Sequence, residues 1–148
     1  MKLNFTKGLG KFDVLELQRP GVAPQRIECP KQRIIPHDMV HYAVEHTLAA
    51  RGFLGRIKDG EAASFQMHSQ AQSDGVERLV EVIQGDAWSG ASASAQDLIA
   101  MYHLTCEARG CPPLAVDAAA LNAVRAAMAE LTQAWDAVPV GGVLALEL

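Results

Sequence analysis

The sequence predicts a single-domain α+β fold, residues 1–148, in which a small antiparallel sheet packs against about four helices. Three observations predict it. Before Pro36, short runs carry apolar residues at every second position around a Pro/Gly turn, as in a β-hairpin. After Pro36, the apolar spacing becomes helical almost to the end of the chain. The final GGVLALEL then returns to alternation, which is typical of a strand.

The N-terminal runs predict a hairpin together with a further N-terminal strand. Leu3 and Phe5 alternate with polar residues in KLNFTK, and DVLELQR repeats the pattern. The turn formers of RPGVAPQ separate it from another short run, RIEC. Because an isolated strand is not stable, the C-terminal strand is expected to pair with the N-terminal ones. The two ends of the chain should therefore meet in one sheet.

Four helices are predicted between these strands. The first covers about 38–50 and stops at Gly52, and the second lies around 75–85. The third follows Ser94, a plausible N-cap, and ends at Arg109, whereas the fourth runs from Asp117 to about Val138. The stretch WSGASASA, residues 88–95, is interpreted as a flexible link.

The fourth helix carries an apolar seam with alternating spacings of three and four. The seam consists of Leu121, Val124, Met128, Leu131, Trp135 and Val138. It favours docking of this helix within the chain, because so small a sheet needs the seam as core. A homodimer interface is the alternative interpretation.

Composition and charge limit the class of protein. The chain is 49% hydrophobic and 20% charged, as in globular proteins, and no apolar run approaches the roughly 18 residues that span a bilayer. The net charge is −4, although residues 1–36 hold seven basic and three acidic side chains. No aromatic platform or basic cluster accompanies these charges, so they are interpreted as protecting a sheet edge rather than binding nucleic acid.

Cysteine usage and the N-terminus predict a cytoplasmic protein. The three cysteines, Cys29, Cys106 and Cys111, form no C-x-x-C pair, and MKLNFTKGLGKFDV lacks the apolar stretch of a secretory leader. The segment H-x-x-C-x-x-x-x-C, residues 103–111, has a spacing outside the usual zinc-site pairs. Cys106 is accordingly interpreted as a small buried hydrophobe.

The segment IIPHDMVHYAVEH, residues 34–46, contains the candidate site. His37 and His41 are four residues apart at the start of a helix, so both can face one metal ion. The helix dipole at this end favours the neutral imidazole that binds metals. Glu45 is the candidate third ligand or an orienting partner of His41, and Asp38 or Glu45 is the candidate catalytic base. The expected cofactor is zinc or another divalent cation.

The motif H-D-M-V-H, residues 37–41, resembles the H-E-x-x-H helix of zincin metallopeptidases, which implies two zinc ligands and a glutamate base. Asp38 stands where that glutamate belongs and is one methylene shorter. The gluzincin pattern also requires a glutamate on a later helix. Glu61, Glu77 and Glu81 are the candidates, and no motif selects one of them.

A hairpin followed by P-H-D-x-x-H-x-x-x-E and then G-F-L-G, from Pro36 to Gly55, is similar to small bacterial proteins of unassigned function. This resemblance implies a bacterial cytoplasmic setting and carries no activity across.

Two functions remain open. In one, the protein is a non-enzymatic interaction or oligomerising domain whose histidines are structural, with Asp38 at the helix start and His41 bonded to Glu45. In the other, it is a small metal-binding protein or metal-dependent hydrolase. Spacing alone does not decide whether His68 or His103 joins the site.

Overall fold

The computed structural model describes residues 1–64 and 67–148, which form a four-stranded antiparallel sheet and five helices. In chain order the elements are β1 (Lys2–Thr6), β2 (Phe12–Gln18), β3 (Gln25–Pro30), α1 (His37–Leu48), α2 (Phe53–Lys58), α3 (Ala71–Trp88), α4 (Ala95–Arg109), α5 (Ala118–Asp136) and β4 (Val143–Glu147). The α+β prediction is confirmed. None of the helices in these described ranges is long and apolar enough to cross a membrane.

The sheet joins the two ends of the chain. Its strand order is β3-β2-β1-β4, and β1 pairs antiparallel with both β2 and β4. Leu3 lies opposite Leu17 on one side and Leu146 on the other. The terminal amine of Met1 donates a hydrogen bond to the carbonyl of Leu148 over 2.8 Å. Pairing of the C-terminal strand with the N-terminal strands is therefore as predicted.

The core lies between one face of this sheet and the helices. Leu3, Phe5, Leu15 and Leu17 alternate with more exposed neighbours along β1 and β2, so their side chains share the buried face. Helix α1 is the central helix and packs against α2, α3 and α5. This position places the start of α1 beside the N-terminal half of α3.

Helix α5 buries its apolar seam inside the chain. Leu121, Val124, Met128, Leu131 and Trp135 all belong to the core, and Val138 is partly buried against it. Trp135 meets Phe5 of the sheet edge-on, with ring centroids 6.5 Å apart. The docking interpretation of the seam is therefore the one that the structure shows.

The helix ends differ in part from the sequence prediction. The side chain of Ser94 accepts a hydrogen bond from the Asp97 N–H, so the expected N-cap is present. Asp117, where the fourth helix was predicted to start, likewise accepts a hydrogen bond from the Ala120 N–H. Helix α1 ends earlier than expected because Ala49 adopts a left-handed conformation, with φ 50°. Helix α3 extends to Trp88 and so includes the start of the stretch that was interpreted as a flexible link.

Helix α2 was not predicted. It has six residues and no side-chain cap at Gly52, and its short sequence FLGRIK has no helical repeat to reveal it. Its first turn is instead held by the side chain of Glu45 from α1, which accepts hydrogen bonds from its backbone N–H groups.

Candidate metal centre

The start of α1 presents two histidines on one side. Pro36 has φ −52° and stands at the N-cap, so His37 is the first helical residue. His41 follows one turn later, with the two rings edge-on and their centroids 4.8 Å apart. The His41 side chain is only 2% exposed, whereas that of His37 is 40% exposed. The pair therefore runs from the protein interior to the surface.

Helix α3 adds a carboxylate to this pair. Glu77 Oε2 lies 3.0 Å from His41 Nε2, and Glu77 Oε1 lies 3.9 Å from His37 Nε2. Among the described residues, 1–64 and 67–148, His37, His41 and Glu77 are the group whose ligand atoms all lie within 4.8 Å of one another. Glu77 is one of the three later glutamates that the sequence left as alternatives.

The other two glutamates that the sequence left as alternatives lie elsewhere. Glu61 pairs with the guanidinium of Arg56, with Oε2 2.8 Å from Nη2. Glu81 pairs with Arg78 over 3.0 Å, one helical turn after Glu77. Because α3 packs against α1, Glu77 is the one of these three glutamates whose carboxylate lies against the histidines.

Hydrogen bonding fixes the tautomer of His37, so that the unprotonated ring nitrogen is the one that faces Glu77. Gln32 Nε2 donates to the Ile35 carbonyl and to Gln84 Oε1. The Gln84 oxygen is therefore an acceptor, and it lies 3.0 Å from His37 Nδ1. Nδ1 must carry the hydrogen of the neutral ring, which leaves Nε2 free to bind a metal.

The second histidine is oriented in the same way. His41 Nδ1 lies 3.2 Å from Glu45 Oε1, and a carboxylate can only accept this hydrogen bond. His41 Nε2 is thereby directed at Glu77. A carboxylate or carbonyl oxygen on the far nitrogen is the usual support of a metal-binding histidine, since it fixes both tautomer and ring orientation.

Glu45 lies on the opposite side of His41 from Glu77. Its carboxylate is buried and accepts hydrogen bonds from three backbone N–H groups at the start of α2, those of Gly52 (3.0 Å), Leu54 (3.0 Å) and Gly55 (2.7 Å). Glu45 was expected as a third ligand, an orienting partner of His41 or a catalytic base, and its contacts are those of the orienting partner. It also supplies the cap that α2 lacks in its own sequence.

Asp38 is buried next to the cluster and contacts a different element. Its Oδ2 accepts a hydrogen bond from the thiol of Cys29 in β3, 3.4 Å away. Burial is the main cause that raises the pKa of this thiol, and the neighbouring Asp38 charge adds to it. Asp38 lines the same cleft as the histidines, and its role as a base stays a prediction. His68 and His103 are both exposed and lie outside the cluster.

The electrostatics of the cluster follow from two carboxylates around one ring. Burial lowers the pKa of His41, but hydrogen bonds to Glu45 and Glu77 outweigh it and raise the pKa to about 9. Burial works to raise the pKa of Glu77, yet the hydrogen bond and charge of His41 bring it below its usual range. Without a metal, a proton shared with Glu77 therefore occupies His41 Nε2.

The cluster opens into a cleft of about 350 Å³. Its polar walls include His37, His41, Asp38, Arg56, Ser73 and Glu77, and Phe53 forms an apolar part. The charge of Arg56 is already balanced by Glu61, and its Nη1 donates to Ser73 Oγ over 3.3 Å. The cleft is large enough for a small organic molecule next to the histidines.

Comparisons of this chain with protein-family models, with curated proteins and with solved structures gave no match. The function therefore has to be argued from the geometry of the site.

Proposed function

We propose that the protein binds a divalent transition metal, zinc in the first place, through His37 Nε2, His41 Nε2 and the carboxylate of Glu77. One observation carries the proposal: both Nε2 atoms face the same carboxylate while both Nδ1–H groups have oxygen acceptors. Two histidines and a glutamate are a common donor set of catalytic zinc sites.

The distances support three-point binding. Zinc bonds to histidine nitrogen and carboxylate oxygen at about 2.0–2.2 Å, so its ligand atoms lie within roughly 4 Å of each other. The ligand atoms of this cluster lie within 4.8 Å, and the contact between His41 and Glu77 is already 3.0 Å. A small rotation of the half-exposed His37 side chain brings the third ligand atom into range. The metal replaces the proton on His41 Nε2.

The proposed chemistry is hydrolysis in the adjoining cleft. Three protein ligands leave a coordination position open to water, and a divalent ion lowers the pKa of such a water to about 7. Asp38 is the proposed general base, since it lines the same cleft and follows His37 directly in the chain. Glu45 is proposed to orient His41 and to stay outside the coordination sphere. The substrate is a small molecule that fits the cleft of about 350 Å³.

The test compares two glutamates on one helix. Untagged protein purified without chelator is expected to hold one equivalent of zinc by elemental analysis. Glu77→Gln should weaken zinc binding in a competition titration by at least about 100-fold, and His41→Ala should abolish it. Glu81→Gln is the matched control, because Glu81 lies one turn further along α3 and pairs with Arg78. Its zinc affinity should equal that of the wild type.

Two results would contradict the proposal. One is zinc below about a tenth of an equivalent, together with no measurable binding of added zinc, manganese or cobalt. The other is equal loss of affinity in Glu77→Gln and Glu81→Gln, which would mean that general acidity of the surface retains the ion.

An oligomerising role is a second candidate, because α4 exposes apolar side chains. Met101 is 53% and Leu104 65% exposed, three residues apart on one face. A homodimer through this face predicts a dimer mass in analytical ultracentrifugation that Leu104→Glu abolishes. Leu9→Glu is the control, since Leu9 is 87% exposed outside the helices. A monomer at every concentration, or equal effects of both substitutions, would reject this interface.

We also propose that the protein acts in a bacterial cytoplasm, the setting that the P-H-D-x-x-H-x-x-x-E resemblance implies. Free thiols at Cys29, Cys106 and Cys111 agree with a reducing compartment.

A further inference from the structure

The C-terminus of α4 brings two cysteines together. Gly110 adopts a left-handed conformation, with φ 66°. The Cys111 N–H donates to the Cys106 carbonyl and the Gly110 N–H to the Glu107 carbonyl, each over 3.1 Å. This pair of hydrogen bonds is the Schellman motif, in which the side chains of the residues joined by the outer bond frequently contact each other. Here those residues are Cys106 and Cys111.

The separation of the two cysteines suits a disulfide. The direct N–H to carbonyl hydrogen bond, combined with standard bond lengths, limits the distance between their Cα atoms to below about 7 Å. Disulfides span Cα separations of about 4.4–6.8 Å. Burial, followed by the neighbouring Cys111 thiol, raises the pKa of Cys106, which agrees with two cysteine side chains that lie close together.

The surrounding structure holds this arrangement in place. Tyr102, one turn before Cys106, is fully buried. Its hydroxyl donates to the Gly75 carbonyl over 2.9 Å and accepts from the Leu114 N–H over 2.8 Å. The hydrogen bond from Leu114, three residues after Cys111, thus fixes this segment to Tyr102 of α4 and, through its hydroxyl, to α3. The thiols meet in a rigid frame, which favours closure over reaction with another molecule.

We propose that Cys106 and Cys111 form a reversible intramolecular disulfide when the protein meets a low-molecular-weight disulfide such as oxidised glutathione. Cys111 is the more exposed of the two and reacts first, whereas Cys106 is 1% exposed. The Cys111 thiolate attacks one sulfur of glutathione disulfide, whose S–S bond breaks and releases a glutathione thiolate. The Cys106 thiolate then attacks the Cys111 sulfur and displaces the second glutathione.

The exchange is balanced in atoms and electrons. Two protein thiols are oxidised to one disulfide, and one glutathione disulfide is reduced to two glutathione thiols. The two protons that the protein thiols lose are taken up by the glutathione thiols. Burial raises the pKa of Cys106 above its ordinary value and so lowers its thiolate fraction, which agrees with attack by the more exposed Cys111 in the first step.

The experiment uses the full chain in chelator, so that its outcome is independent of metal binding. After incubation with excess oxidised glutathione and acid quenching, the three thiols of the wild type should fall to one. The intact mass should decrease by two hydrogens, and peptide mapping should join Cys106 to Cys111. Reduction with dithiothreitol should restore all three thiols.

Cys29→Ser is the control, because Cys29 lies in β3 against Asp38 and has no cysteine partner. It should form the same disulfide at the same rate. Cys106→Ala should stop at the glutathione adduct of Cys111, and alanine preserves the apolar character of the buried site. Cys111→Ser should form neither adduct nor disulfide. Circular dichroism spectra equal to wild type verify that these variants fold.

Three outcomes would overturn the proposal. The first is a wild-type protein that accumulates the Cys111 adduct without losing it to the disulfide. The second is a disulfide-linked dimer through Cys111. The third is a bridge that includes Cys29.

Discussion

Two carboxylates contact His41 from opposite sides, and their surroundings differ. Glu45, at the corner between α1 and α2, is 2% exposed and accepts hydrogen bonds from His41 and from three backbone N–H groups. Glu77, in the cleft between α1 and α3, has a side chain that is 35% exposed and forms ion pairs with the two histidines. A carboxylate with every position filled by fixed donors holds the fold together. A carboxylate with open positions is available to a ligand.

Within one polar cluster, Glu45 stabilises the fold and Glu77 is the carboxylate available to a ligand. Glu45 compensates its own burial through charge-assisted hydrogen bonds, so its removal leaves several buried donors without a partner. Glu77 remains solvated in part, so its removal costs the fold little. If the proposal is correct, stability depends on Glu45 and metal affinity on Glu77.

The largest effect is expected for Glu45→Gln measured against Glu77→Gln. An amide at position 45 offers one acceptor oxygen, and its NH₂ group opposes backbone N–H donors. We expect Glu45→Gln to lower the free energy of unfolding by about 3–5 kcal/mol and Glu77→Gln by about 1 kcal/mol. Urea denaturation in the presence of chelator measures both. Equal losses of unfolding free energy in the two variants would show that Glu45 and Glu77 contribute alike to the stability of the fold.

A smaller effect is expected from filling the space beside Glu45. A Cβ at Gly52 would lie 2.5 Å from Val76 Cγ1 and 2.7 Å from the Glu45 carboxyl carbon. Gly52→Ala should therefore displace the Glu45 carboxylate and destabilise the protein by about 1–3 kcal/mol. Gly85→Ala, in the last turn of α3 with nothing within 4 Å of its Cβ, should stabilise by about 0.4–1 kcal/mol. A neutral Gly52→Ala would show that the corner between α1 and α2 is loosely packed.

The smallest effect is a pH dependence of the metal-free protein. The pKa of His41 rises from its ordinary 6.5 to about 9 on folding, after burial and the bonds to Glu45 and Glu77 are combined. A raised pKa contributes stability that is complete below pH 6.5 and is lost as the pH rises through about 9. We expect the loss to be about 1–2 kcal/mol, below the limit of about 3 kcal/mol that the shift implies.

Chemical denaturation in chelator across this range measures the dependence, and the His41→Gln variant corrects for all other titrating groups. The difference in unfolding free energy between wild type and His41→Gln should shrink as the pH rises. A difference that stays constant, or grows, would show that His41 is not charged between its two carboxylates.

Local patterns in the sequence were sufficient for most elements. Alternation located the strands, the N-cap Ser94 located the start of α4, and helical spacing from Asp117 onward located the start of α5. These features depend on neighbours a few residues apart, so the sequence contains them directly. Helix α2 escaped prediction because its first turn is capped by Glu45 from another helix, and no local signal records that contact.

The sequence by itself determined the pair His37 and His41, because a spacing of four residues places two side chains on one side of any helix. It also supplied Glu45 as a partner of His41, one further turn along. Only the tertiary structure decided among Glu61, Glu77 and Glu81, since that choice depends on how α3 packs against α1. Thirty-six residues separate Glu77 from His41 along the chain. Packing reduces that separation to a 3.0 Å contact, and helical periodicity carries no information about it.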